Sequence, residues 1–381
     1  MARGEIGIGR AKASGLLSPA GRAVRAAILI TVLTTGVAHV ALPAQGSGPA
    51  LVELSWLSIS NVYQRIGSLG VLIDGYITRI PASEFFGGGG GLANTRNAWK
   101  PDVPEITRVL AALGGPTSIN LLLTGHSHFD HSFDTGTWSS LTGAPVIGSR
   151  TTCLQVRADG VPASSCTTVV GGERLTLAPG VTMWVVRWNH SGDPAVNPEQ
   201  HNAVELSQVP ARDPATGGRR AGVAEDFPNG GGNRAFLFVV DGPSGRYSWF
   251  FQNSASAVDL DVPIVVEGTN YGAPLANLQA AMKDAGLPRV DLWIGSGAAA
   301  IAPRVLPVLQ PKAFLPVHWD GLYSPFKAGV PAPFRDARLV ALLRDARGEL
   351  LTPTQYGDTW RLDISGIRRV DAGLSRRLGF Q

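Results

Sequence analysis

Cysteine is nearly absent: Cys153 and Cys166 are the two in 381 residues, with twelve residues between them. The short Cys-x₂₋₄-Cys spacing is therefore missing, which excludes a zinc site made by cysteines alone. Charge is scarce too, at 16% Asp, Glu, Lys and Arg against about 25% in an average soluble protein. Disorder driven by charge is excluded. Charge of one sign is also lacking: Arg3, Arg10, Lys12, Arg22 and Arg25 against Glu5 account for the whole net +4, and the rest of the chain is balanced. No basic footprint for nucleic acid remains. The longest apolar run, over 26–38, falls short of the roughly 20 residues that span a bilayer. The 47 glycines and 27 prolines show no G-X-Y period and predict many turns. The glycine run 87–91 has no Gly-Lys-Ser/Thr behind it, so it reads as a mobile loop and not a phosphate loop.

Residues 1–44 read as an export signal, with basic residues through Arg25, the apolar run, and small residues in Ala41-Leu42-Pro43-Ala44, where cleavage is expected. Arg22 and Arg25 are not adjacent and no cysteine follows the run. The general secretory route is expected, without a lipid anchor or stable membrane insertion, giving a periplasmic or extracellular protein of one domain over 45–381. In an oxidising compartment Cys153 and Cys166 are expected to pair; the alternative is two thiols buried as small hydrophobes.

The coarse pattern is α/β. Residues 51–60, 71–73 and 77–80 read as strands, 104–113 as a helix stopped by Gly114-Gly115, and 119–123 as an apolar strand. Short elements follow: helices near 138–141 and 153–157, strands at 145–148, 182–186, 234–240 and 247–251. The C-terminal third alternates helix 273–285, strand 290–294, helix 305–309, strand 313–317 and helix 334–347. Residues 193–233 are rich in Pro, Gly, Asn and Arg with little periodicity, and read as a loop insertion over the site or a disordered loop.

Chemistry concentrates where the 119–123 strand ends. Thr124-Gly125-His126-Ser127-His128-Phe129-Asp130-His131 packs three imidazoles and a carboxylate into six residues. An HxHxDH turn presents two imidazoles to one metal and the following Asp and His to a second. Of seven histidines, His190 and His318 also follow strands, in Trp188-Asn189-His190-Ser191-Gly192 and Val317-His318-Trp319-Asp320. These motifs resemble the metallo-β-lactamase fold superfamily over roughly residues 51–363. The resemblance implies an αββα four-layer sandwich with metals at one sheet edge. It also implies His126, His128 and His190 as ligands of one zinc, and Asp130, His131 and His318 as ligands of a second, with Asp130 holding that metal and the reacting water in register. His190-Ser191-Gly192 and Val317-His318-Trp319-Asp320 resemble the branch of ascorbate lactonase-like and phospholipase-D-like hydrolases.

Many members carry a bridging Asp after the 247–251 strand; here the strand runs into Gln252-Asn253-Ser254, and Asn253 aligns with it. A neutral amide there predicts a weaker second metal, strengthened by Asn253→Asp, with Asp259 or Asp261 as possible substitutes. Asp74 matches an Asp that supports the metal loop from below, or else belongs to an Asp-Gly turn. Asp134 and Asp320 either orient imidazoles or serve turns and caps. Trp188, Trp319 and Tyr323 read as packing, or as a pocket mouth, and His201 as solvent-exposed. The expected function is that of an exported zinc hydrolase acting through metal-activated water on an ester, lactone or amide (lactam) in a small-molecule substrate. A phosphodiesterase, a catalytically silent metal-binding envelope protein and an iron oxidase are the other readings.

Overall fold

The computed structural model describes residues 51–85, 97–242 and 245–380; the expected export signal and the glycine run 87–91 lie outside the described residues. Two mixed sheets dominate. The first runs, in spatial order, Gly366–Val370, Asp358–Asp363, Val52–Ser58, Asn61–Ile66, Leu69–Ile73, Leu121–Leu123, Val146–Gly148 and Cys166–Thr168. Its chain-terminal half is antiparallel, and pairing becomes parallel from Leu69–Ile73 onward. The second runs Glu349–Leu350, Ala313–Pro316, Leu292–Gly295, Gly245–Gln252, Asn233–Gly242, Val181–Trp188 and Arg174–Ala178.

Side chains alternate across a strand, and the alternation sorts the second sheet into two apolar layers. Met183, Val185, Phe236, Phe238, Trp249, Phe251 and Ile294 enter one core with Leu54, Trp56, Val71 and Ile73 of the first sheet. Their neighbours Trp184, Val186, Leu237, Phe250, Trp293 and Phe314 face the other way, onto helices Pro274–Asp284, Ala298–Leu309 and Ala337–Asp345. The first sheet is covered by Val103–Leu113 through Ile106, Val109 and Leu110, by Thr135–Thr142 through Trp138 and by Arg150–Ala158 through Val156. The result is helix, sheet, sheet, helix: the αββα sandwich that the motifs imply. Among the described residues no helix is long and apolar enough to cross a membrane.

Three expectations need correction. Residues 77–80 form no strand, because the amide N–H groups of Ile77 and Thr78 donate to the Asp134 carboxylate, both at 2.7 Å, and not to a neighbouring strand. The expected 305–309 helix is the end of Ala298–Leu309, whose internal Pro303 and Pro307 hide its length. The 334–347 helix shortens to Ala337–Asp345, where the Asp336 side chain caps the Leu339 N–H. Within 193–233 the chain is mostly irregular but tethered. Arg219–Arg220 pairs with Ala98–Trp99, and Glu205 accepts from the Thr151 N–H at 2.6 Å. Cys153 and Cys166 form a disulfide with a Cα separation of 5.5 Å.

Candidate metal centre

Strand ends deliver every ligand. Residues 124–131 leave the first sheet after Leu121–Leu123, His190 follows Val181–Trp188 and His318 follows Ala313–Pro316. Two groups of potential ligand atoms result, His126, His128 and His190 in one and Asp130, His131 and His318 in the other, with the atoms of each group within 4.8 Å of one another. All are buried except His318, whose side chain is 23% exposed, and His190 borders an open cavity on its own side.

Three outer nitrogens are already committed. Nδ1 of His126 faces Oδ1 of Asn253 at 3.3 Å, Nδ1 of His190 donates to the Ser191 carbonyl at 2.8 Å, and Nδ1 of His131 donates to Asp74 at 3.1 Å with Ser60 Oγ at 2.9 Å. Such bonds fix the tautomer and leave the Nε2 lone pair for a metal. Accordingly Nε2 of His126 lies 3.2 Å from Nδ1 of His128, and Nε2 of His131 and of His318 lie 3.1 and 3.0 Å from Oδ2 of Asp130. A nitrogen-rich set with its lone pairs converging fits zinc or another first-row ion.

Electrostatics divide the two groups. Burial, reinforced by the neighbouring imidazoles, holds His126 and His190 well below the usual histidine range, and His128 at about 3 despite the opposing charge of Asp130. They are neutral imidazoles. In the other group burial opposes ionisation, but mutual attraction wins: His131 rises to about 10 between Asp130 and Asp74, and Asp130 falls well below the usual carboxylate range beside His131 and His318. Without a metal this group holds an ion pair, and a metal at His131 would displace its Nε2 proton.

A support layer lies beneath the ligands. Asp74 also accepts from the Gly125 N–H at 2.8 Å and from the Asn253 amide at 2.6 Å, so it holds the metal loop from below. A Cβ at Gly125 would collide with the Asn253 amide. Three of the non-glycine residues with positive φ belong to this centre: Ile59 at 44°, Asp74 at 51° and His318 at 63°. Backbone strain of this kind persists where surrounding contacts over-determine it.

Several sequence readings change here. Asn253 meets the outer nitrogens of His126 and also lies 3.3 Å from that of His131, so it stands behind the imidazoles and not at a bridging position. Asp261 pairs with Arg304 on the surface, and Asp259 accepts from the Asn189 amide at 2.5 Å beside His190; neither enters a ligand group. Asp134 orients no imidazole. It binds the 77–78 turn and Thr78 Oγ1, and burial raises its pKa to about 6. Asp320 likewise binds backbone, accepting from the Ile59 N–H at 3.0 Å and from the Tyr356 hydroxyl at 2.7 Å. Trp319 packs, stacked 5.4 Å from Trp56, whereas Trp188 is both packed on Phe250 and part of a cavity wall. His201 is half-buried and sets its ring edge-on to His190 at 5.2 Å. A short helix, Pro198–His201, carries it there; Pro at its start was the only local signal. Sequence reading also missed Gln155, which donates to the Ser127 carbonyl at 2.9 Å and accepts from Ser132 Oγ at 2.8 Å, clamping the metal loop.

No family model and no curated protein matches the chain. Solved structures do resemble it. Isothiocyanate hydrolase from Delia radicum gut bacteria is 10% identical, over 81% of this chain and 97% of that one, with a TM-score of 0.47. Igni18, a metallo hydrolase from the archaeon Ignicoccus hospitalis, is 13% identical over 82% and 99%, at 0.46. CmlA, a diiron β-hydroxylase from Streptomyces venezuelae, is 12% identical over 84% of this chain and 55% of its own, at 0.43. The class is defined by the chain's own features: an αββα sandwich carrying a His₃ group and an Asp-His₂ group at one edge.

Proposed function

We propose that the chain is an exported metal-dependent hydrolase that uses zinc to cleave an ester, lactone or amide (lactam) bond in a small molecule. One observation carries the reading: six potential ligand atoms, delivered by three strand ends, converge in two adjoining groups, and the outer nitrogens of His126, His131 and His190 are already hydrogen-bonded. A zinc ion bound there supplies Lewis acidity toward a carbonyl and acidifies water near neutral pH. The protein groups do the rest. Three neutral imidazoles offer nitrogen donors without adding charge, and Asp130 faces His131 and His318 as an anionic acceptor able to hold a water proton in register with the substrate. Burial of this set keeps bulk water away except at His318 and at the cavity walled by His190. The bridged cysteines support export, since such bonds persist in oxidising compartments.

The test is metal quantification of purified protein followed by hydrolysis of a chromogenic cephalosporin, a lactone, a carboxyl ester and bis-nitrophenyl phosphate. Zinc with turnover of a carbonyl substrate is the expected result. Turnover of the phosphodiester alone would make the chain a phosphodiesterase, iron would favour redox chemistry, and metal without turnover a silent binding protein. Amino-terminal sequencing of exported protein, expected to begin near residue 45, checks the leader.

A further inference from the structure

Beside the three-histidine group a cavity of about 360 Å³ is walled by His190 and by loops from three parts of the chain. Three of its lining side chains, Asn189, Asn229 and Asn233, are at most 4% exposed, and each has an amide oxygen without a hydrogen-bond partner. Nε2 of His201 and Nε1–H of Trp188, on the same wall, are also buried without partners. Native interiors leave few polar groups unpaired, and side chains around this one cavity carry five.

The rest of the wall says what kind of ligand. Val204, Val262 and Val265 line the cavity while remaining 49%, 53% and 60% exposed, an aliphatic lip of a sort that monomers seldom gather in one place without a use. The charged side chains on the wall are Asp259 and Glu267; among the described residues no Lys or Arg lines it. An anion entering here would meet carboxylates on the wall with no Lys or Arg there to pair with. A phosphodiester or a carboxylate-bearing lactam is therefore disfavoured.

We infer that this cavity selects the substrate of the adjoining centre, and that the substrate is an uncharged or cationic acyl compound bearing an aliphatic group and N–H or O–H donors. The inference rests on the hydrolase reading for the word substrate, and on the cavity alone for the ligand chemistry. His190 joins the two, belonging to the metal group on one side and to the cavity wall on the other.

The experiment compares kcat/KM of metal-loaded protein on three matched 4-nitrophenyl esters: 6-aminohexanoate, hexanoate and the adipate monoester, which are cationic, neutral and anionic at similar length. Rates should fall in that order, by about tenfold per step, from an unpaired charge and lost donor bonds. Val262→Lys, at an exposed position of the lip, should raise the adipate ester and lower the 6-aminohexanoate ester. Equal rates on hexanoate and adipate esters, or an unchanged order in folded Val262→Lys protein, would overturn the inference while leaving the hydrolase reading intact. If no ester is cleaved, the hydrolase reading fails instead, and ligand-observed NMR with pentylammonium decides the cavity. Binding to the wild type that weakens several-fold in Val262→Lys sustains it, and no binding rejects it.

Discussion

The side-chain amide of Asn253 donates to the Asp74 carboxylate at 2.6 Å, joining the ends of two strands that belong to opposite sheets. Asp74 follows Leu69–Ile73 in the first sheet, and Asn253 follows Gly245–Gln252 in the second. Between them they also reach Nδ1 of His126 and of His131, one from each ligand group. This pair is thus the keystone behind both ligand groups, and the neutral amide is what allows it: a donor faces Asp74 and an acceptor faces His126.

Asn253→Asp reverses the expectation drawn from alignment. A carboxylate at 253 stands behind the imidazoles, so it adds no ligand, and it brings a second anion against Asp74 in place of a donor. Loss of a buried hydrogen bond to a charged group costs about 1–3 kcal/mol. Competition with a chromophoric chelator should show metal held less tightly by the variant than by wild type. Tighter binding at the Asp130, His131 and His318 group would place residue 253 at the bridge after all.

His128→Ala should remove the ion held by the three histidines, because Nδ1 of His128 lies 3.2 Å from Nε2 of His126 and nothing nearby replaces it among the described residues. Hydrolysis should then fall by orders of magnitude. Folding should survive, since the core between the sheets is complete without the metal loop. Metal content and turnover unchanged from wild type would remove His128 from the centre.

Local pattern carried much of this structure. HxHxDH after an apolar strand was legible because its ligands are neighbours in sequence, and His190 and His318 because each follows an apolar run that ends a strand. What stayed hidden depends on long-range geometry. That Val52–Ser58 pairs with Asp358–Asp363 requires three hundred residues of intervening chain to fold back. Which face of an imidazole Asn253 meets is set by the approach of two sheets, and alignment along one chain carries no sign for it. His201 read as solvated because its neighbours are polar, yet the Pro198–His201 turn folds its ring onto His190. Residues 77–80 had strand composition, but a buried carboxylate took the amide hydrogens that a ladder would have used.

The disulfide offers a third test. Cys153 lies on helix Arg150–Ala158, the helix whose Gln155 clamps the Ser127 carbonyl, and Cys166 opens the edge strand Cys166–Thr168. Closing this short loop is worth about 3 kcal/mol in the chain-entropy model. Reduction, or the Cys153→Ser and Cys166→Ser double variant, should therefore lower the unfolding midpoint in urea, and thiol titration of unfolded, unreduced protein should find no free thiol. Two titratable thiols in exported protein would reject the bond.

Asp320 sets up the most selective test, because it acts on one ligand group through backbone. Its carboxylate accepts from the Ile59 N–H at 3.0 and 3.1 Å and from the Tyr356 hydroxyl at 2.7 Å, pinning a turn in which Ile59 has a φ of 44°, unfavourable for a β-branched residue. The Ile59 carbonyl in turn accepts from the His318 N–H at 2.8 Å, and Ser60 Oγ lies 2.9 Å from Nδ1 of His131. Asp320→Ala removes the acceptor that holds Ile59 in place, at a cost of about 1–3 kcal/mol for stranded buried donors. The turn should relax, loosening His318 and the Ser60 bond to His131 together, while His126, His128 and His190 make no hydrogen bond to that turn and keep their geometry. A lower Tm should therefore come with loss of the ion at Asp130, His131 and His318 alone, read as one weakened step in a two-step chelator titration. Tyr356→Phe, which removes the hydroxyl's bonds to Asp320 and Arg79 and leaves Ile59 held, should cost about 1–2 kcal/mol and keep both ions. Equal weakening of both steps in Asp320→Ala would mean that the turn supports the whole centre and not one half of it.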